Sequence, residues 1–164
     1  MLLVTASVLA LAGCGQQIAE KAVESAVNNA TNGQTNLDLS GGNMNIKDSK
    51  TGTSYQAGGN VSWPANFPAD VYKVEGNVLS AVANAKDNSY WVMVETPKSV
   101  EDVSAAYQAE LPKNGWTMTT TANFGGTGTM GAEKGDRTLG ILIAPASEEG
   151  GKTTLTLSES KKQE

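Results

Sequence analysis

The sequence contains no histidine and only one cysteine among its 164 residues. Zinc sites in proteins are built mainly from cysteine and histidine, so a zinc site of that kind is excluded. One cysteine also excludes a disulfide within the chain. Serine and cysteine nucleophiles commonly rely on a neighbouring histidine as general base, and this chain cannot supply one.

Basic residues are scarce as well. The chain has 12 Lys and Arg against 17 Asp and Glu, giving a net charge of -5 and a pI near 4.8. Nucleic acids require a basic face, so we expect no nucleic-acid partner. A polybasic patch for anionic lipids is also missing, and any attachment to a membrane should therefore come from a covalently bound lipid.

Other catalytic or cofactor sites are not indicated. Glu101, Asp102 and Glu110 are expected on the solvated side or first turn of a helix, which favours a surface role. The segment "GTGTMG", 126–131, matches the G-x-G-x-x-G motif, but it precedes a turn and a strand where a dinucleotide site requires a helix. Asp38 and Asp48 are too widely spaced for a calcium loop. We expect a protein that is not an enzyme and holds no cofactor or metal.

The lone cysteine follows an apolar leader, "VLALAGCGQQ". Leu2 to Ala12, followed by Gly13, has the apolar core and small cleavage-site residues of a secretory signal. A bilayer span would need about 20 apolar residues. Because residues 1–4 carry no charge, either the true start lies upstream or the leader is unusual.

The Leu11-Ala12-Gly13-Cys14 sequence resembles the lipobox of bacterial lipoproteins. The resemblance implies that residues 1–13 are a lipoprotein signal peptide and that Cys14 is acylated, with fatty chains such as palmitate. It also implies a protein anchored to the cell membrane or outer membrane, with its domain outside the cytoplasm. Gly15 stands where an Asp would resemble an inner-membrane retention signal. The alternative is a buried N-terminal segment with a structural cysteine.

Two segments separate this leader from the main domain. Residues 14–33 have the apolar spacing of a short amphipathic helix, which we interpret either as a membrane-proximal helix or as a loose spacer. Residues 34–60 are rich in Gly, Asn, Ser and Thr. Their alternating runs are only three to five residues long, so the segment is predicted to be a linker or a small β-meander.

Residues 61–158 are predicted to form an α+β domain, followed by a polar tail at 159–164. Two alternating runs around the turn 86–88 predict a β-hairpin. The helix that follows should begin after the N-cap Ser99 and end near Leu111, because Pro112 lacks an amide hydrogen. Its apolar stripe should consist of Val100, Val103, Tyr107 and Leu111.

Four further alternating runs predict an antiparallel meander after the helix. The order β-β-α-β-β-β-β predicts two layers, with one main helix packed on a curved antiparallel sheet. The inner layer should include Leu139, Ile141, Ile143, Leu155 and Leu157. From Trp63 onward the layout, with a helix ending before "GW", resembles small domains of uncharacterised bacterial lipoproteins, although Pro112 departs from the unbroken helix end expected there. That resemblance implies no catalytic residues.

Two functions follow from these expectations. The first is a lipid-anchored envelope protein whose domain is a non-catalytic interaction or structural module for another envelope protein. The alternative is a small-ligand binder in which sheet and helix enclose an apolar pocket lined by Trp91, Met93 and Trp116. A concave cavity of several hundred Å3 would favour the ligand binder, and a filled core with an exposed apolar patch would favour the protein partner.

Overall fold

A computed structural model describes residues 14–146 and 151–162. It contains two α-helices and nine β-strands within those ranges. The elements are α1 (Cys14–Ala30), β1 (Thr35–Asp38), β2 (Asn43–Asp48), β3 (Thr53–Val61), β4 (Asn77–Asn84), β5 (Ser89–Thr96), α2 (Val100–Lys113), β6 (Thr117–Phe124), β7 (Thr127–Lys134), β8 (Arg137–Pro145) and β9 (Thr153–Lys161). One turn of 3-10 helix, Ser40–Gly42, connects β1 to β2.

All nine strands belong to one antiparallel sheet, in the order β1-β2-β3-β4-β5-β9-β8-β7-β6. The last strand lies in the interior of the sheet, between β5 and β8, so the hairpin β4–β5 joins the later meander through long-range pairing. Register shifts in β3–β4, β4–β5 and β6–β7 interrupt the ladders, and such bulges bend a sheet. The predicted α+β class, one main helix on a curved antiparallel sheet, is confirmed.

Helix α2 lies on one face of this sheet, over β6, β7 and β8. Its predicted stripe is confirmed, because all four residues are buried: Val100, Val103, Tyr107 and Leu111. The N-cap is also confirmed, since the backbone N–H of Asp102 donates to Oγ of Ser99 at 3.0 Å. The predicted inner-layer residues of β8 and β9 are buried in the same core.

The end of α2 differs slightly from the expected position. The helix continues through Pro112 to Lys113, two residues past Leu111. Proline in the last turn removes only one intrahelical hydrogen bond, and the carbonyls there find other donors. Gly115, with φ of 81°, reverses the chain and donates to the carbonyl of Pro112 at 3.0 Å.

The sequence predicted either a linker or a small β-meander at residues 34–60, and the structure has β1, β2 and β3 there. These strands extend the sheet beyond β4 and have few buried side chains. Helix α1 contacts β1, and Oε1 of Glu24 accepts the backbone N–H of Leu39 at 2.8 Å. The predicted 14–33 helix thus extends from Cys14 to Ala30. Neither helix in the described ranges has the length and hydrophobicity needed to span a bilayer.

Candidate functional site

The three residues predicted to line an apolar pocket do not lie together. Trp91 and Met93 alternate along β5 with buried Val92 and Val94, so their side chains point away from α2. Trp116 is 3% exposed and belongs to the core on the α2 side. The strand period of two therefore places the predicted residues on opposite faces of the sheet.

Cys14 is the first residue of α1. Its side chain lies outside the part of the chain whose side chains the structure describes. Lipidation of Cys14 remains a prediction. The leader at 1–13 likewise lies outside the described residues.

A cleft of about 420 Å3 lies on the inner face of the sheet, the face that carries the core, beyond the strands that α2 covers. Its floor consists of small or polar side chains from β3 and β4, and its wall comes from the segment before β4 and from β5. The lining residues are Lys47, Gly52, Ser54, Gln56, Ser62, Trp63, Pro64, Ala65, Asn66, Ala81, Ala83, Ala85 and Tyr90.

Strand register explains why these side chains converge. Lys47 pairs with Ser54, Ser54 with Ala83, and Ala83 with Tyr90, so the four residues form one row across β2, β3, β4 and β5. Side chains in such a row share one face of the sheet. This row continues into the core at Leu139 through Glu159. The cleft is thus the uncovered continuation of the hydrophobic core's own face.

Three alanines leave the space open. Ala81, Ala83 and Ala85 occupy every second position from β4 into its turn. The following strand instead carries Tyr90, Val92 and Val94 on the same face. The alternating alanines are a sequence signal for this cleft, whereas the predicted pocket rested on large side chains.

Aromatic rings form the wall. The centroids of Trp63 and Phe67 are 4.8 Å apart, and those of Phe67 and Tyr90 are 5.6 Å apart in an edge-to-face arrangement. Nζ of Lys73 lies 5.6 Å from the centroid of Trp63 and 5.4 Å from that of Phe67. Such contacts fix ring orientation, so Trp63 presents a defined surface to the cleft.

A polar network ties the wall segment to the sheet. Arg137 donates to both carboxylate oxygens of Asp70, at 2.9 and 3.1 Å, and through Nε to Glu159 at 2.5 Å. Lys134 donates to Asp70 at 2.6 Å, and the Trp116 indole donates to the Asp70 carbonyl at 3.0 Å. These bonds hold the chain between Trp63 and β4, so the cleft wall is preorganised.

The same network sets the ionisation of Asp70. Burial acts to raise the pKa of this carboxyl, but hydrogen bonds from Arg137 and Lys134 outweigh it and hold the pKa below its usual value. Hydrogen bonds to Asp70 and Glu159 raise the pKa of Arg137 despite its partial burial. Asp70 and Arg137 are therefore both charged at neutral pH.

Charge and chemistry inside the cleft are simple. Lys47 is the one charged residue among those that line it, and the other polar groups are the amides and hydroxyls of Ser54, Gln56, Ser62, Asn66 and Tyr90. A flat apolar body can contact the rings and alanines while these groups hydrogen-bond its polar end. The arrangement is suited to holding a small amphipathic molecule.

A second depression, of about 470 Å3, lies where the β4–β5 turn meets the end of β9. All of its lining residues are polar or charged: Lys86, Asp87, Ser89, Ser160, Lys161 and Lys162. None of these residues is apolar or aromatic, so the first cleft is the better candidate site.

Comparison with known proteins gives one match. A family model described as START domain-like matches residues 77–154, which extend from β4 to the beginning of β9. The matched part includes the cleft residues Ala81, Ala83 and Tyr90. No curated protein and no solved structure matches the chain. Over residues 77–154 the chain is therefore similar to START-like domains.

Proposed function

We propose that this chain is a lipid-anchored envelope protein, not an enzyme, whose domain binds a small amphipathic ligand in the cleft between β2–β5 and the segment 62–66. The observation that carries the proposal is the cleft itself, with its volume of about 420 Å3. Ligand pockets of proteins commonly measure about 300–1,000 Å3.

The exposure of Trp63 in the cleft wall supports a ligand site and not merely a packing defect. Trp63 is only partly buried, although Phe67 and Tyr90 beside it are 5% and 8% exposed. An aromatic ring held rigidly at the edge of an open space provides contact area without an entropic cost on binding. The similarity to START-like domains also supports a binding role.

Filling the cleft tests this proposal. Ala83→Phe places a ring into the cleft, whereas Val82→Phe adds the same ring on the opposite face of β4 and is the matched control. We expect 2-naphthalenemethanol to bind the wild type and Val82→Phe in calorimetry, and Ala83→Phe to lose binding. Small molecules extracted from protein purified without denaturation should show the same pattern. If neither the probe nor any co-purifying molecule distinguishes the variants, the ligand function is wrong.

The lipid anchor is tested separately by intact mass. In membrane extracts we expect the wild type to have lost residues 1–13 and gained the mass of a diacylglyceryl or triacyl group. Cys14→Ser should show neither change. An unmodified Cys14 with a retained leader would contradict the anchor and the envelope location.

Interaction with another envelope protein is the second candidate function. The specific observation is the edge strand β6, "TMTTTANF", which carries no charge and ends at Phe124, 75% exposed. Exposed uncharged edges can pair with strands of other chains. A photocrosslinker at Phe124 should then capture a protein in cells that one at Asn36, an exposed residue of β1, does not. Equal labelling at both positions would count against this function.

A further inference from the structure

We propose that the ligand of the cleft is an anion: its carboxylate, phosphate or sulfate group binds Lys47, and its flat apolar part packs against Trp63 and the alanine floor. This inference rests on the proposed ligand-binding function and specifies the class of ligand.

The charge of the cleft is opposite to that of the whole chain. The chain carries a net charge of -5, yet Lys47 lines the cleft and no acidic residue does. Lys73, over the Trp63 and Phe67 rings of the wall, adds a second positive charge. Asp48 follows Lys47 in β2, so its carboxylate lies on the opposite face of the sheet, where it accepts the backbone N–H of Thr51 at 2.8 Å. An anion therefore meets a locally positive surface on an acidic protein.

Lys47 also has no competing partner. It is exposed, and within the described part of the chain its ammonium makes no hydrogen bond or ion pair. Neighbouring lysines are engaged: Nζ of Lys86 donates to the carbonyl of Lys50, and Lys73 lies over two rings. An ammonium that is free to orient can bind an oxyanion without first breaking an internal contact.

Strand geometry sets the size of the anion. Lys47 and Tyr90 are the ends of one row that crosses four strands, so their backbones are separated by three inter-strand spacings, about 14 Å in total. Side chains stand roughly perpendicular to a sheet, so the lysine and tyrosine border this distance, and the floor between them consists of Ser54 and Ala83. A body of about two fused rings carrying one acidic group is shorter than this distance and fits over the floor.

A pair of probes with the same ring system tests the inference. 2-Naphthoate is an anion at neutral pH, and 2-naphthalenemethanol is neutral. In calorimetry we expect the wild type to bind 2-naphthoate about tenfold more tightly, as one charge-assisted contact predicts. Raising the salt from about 0.05 to about 0.5 M should weaken only the binding of 2-naphthoate.

Variants of lysine then locate the effect. Lys47→Gln should remove the tenfold preference while leaving the affinity for 2-naphthalenemethanol unchanged, and Lys47→Arg should retain the preference. Lys50→Gln is the matched control, because Lys50 is exposed in the turn after β2 and does not line the cleft. Circular dichroism checks that each variant is folded.

The outcomes separate this inference from the proposed function. Equal affinity of the wild type for both probes overturns the anionic ligand, and a preference that survives Lys47→Gln overturns the role of Lys47. Both results leave the cleft as a binding site. If neither probe binds the wild type and no small molecule co-purifies with it, the proposed function and this inference fail together.

Discussion

The contact between Arg137 of β8 and Glu159 of β9 belongs to the polar network that also binds Asp70, and its contribution to stability can be tested. Glu159 is 2% exposed, and Nε of Arg137 donates to its Oε1 at 2.5 Å. The other oxygen, Oε2, is buried and has no hydrogen-bond partner among the described residues. Methionine in place of Arg137 retains a side chain about as long as the aliphatic stem of arginine, but it leaves the buried Glu159 carboxylate without its cation.

Removing one partner of a buried ion pair commonly costs about 3–5 kcal/mol in the free energy of unfolding. Arg137 is a quarter exposed, so water can partly replace it, and we expect about 3 kcal/mol for Arg137→Met. For a chain of this size the melting temperature should fall by about 6–12 °C. The assay is urea unfolding followed by circular dichroism.

The double variant Arg137→Met with Glu159→Met separates the charge effect from lost packing. Removing both charges removes the uncompensated carboxylate, so we expect the double variant to recover about 2 kcal/mol relative to Arg137→Met alone. A double variant no more stable than the single one would show that the uncompensated carboxylate is not the cause of the loss. A cost below about 1 kcal/mol for Arg137→Met would show the same.

Three further predictions concern stability. The folded-state pKa of Asp70 is lowered, so its carboxylate stabilises the fold above its unfolded pKa of about 3.9 and loses this effect as the pH falls through the folded value. In Asp70→Asn, the free energy of unfolding should therefore fall less steeply as the pH is lowered. Tyr107→Phe should cost about 1–2 kcal/mol in urea unfolding, because its buried hydroxyl donates to a loop carbonyl at 2.8 Å. Gly76→Ala should cost about 1–3 kcal/mol, because its Cβ would collide with a carbonyl of β5, while Gly59→Ala has open space and should be neutral by the same assay.

Local periodicity explains which parts of the fold could be predicted. The α2 stripe and the β4–β5 hairpin follow from spacing within about 20 residues, and the structure confirms both. Helix α1 also has a readable pattern, although Ile18 is 70% and Val23 47% exposed. Among the described residues, β1 is the main element that lies beside this helix. Pattern alone does not say what covers an apolar side chain.

Long-range pairing explains the rest. Strands β1 to β3 have short, polar runs and are held by addition to the edge of β4, which no local signal reveals. Trp91 lies within a predicted strand and Trp116 at the start of another. The face of the sheet that each occupies depends on strand register and on the turn at Gly115. The cleft arises from the space that Ala81 and Ala83 leave unfilled. The alternation of these alanines is visible in the sequence, but whether another side chain fills the space depends on long-range packing.

The most direct test of the cleft as the ligand site uses the indole N–H signals of the three tryptophans in a 15N-labelled sample titrated with 2-naphthoate. Trp63 lines the cleft, Trp91 lies on the opposite face of the sheet, and Trp116 is buried with its indole bonded to Asp70. We predict that the Trp63 signal shifts in a saturable way while the other two remain in place. A Trp63 signal that does not move, or a Trp91 signal that moves in its place, would contradict it.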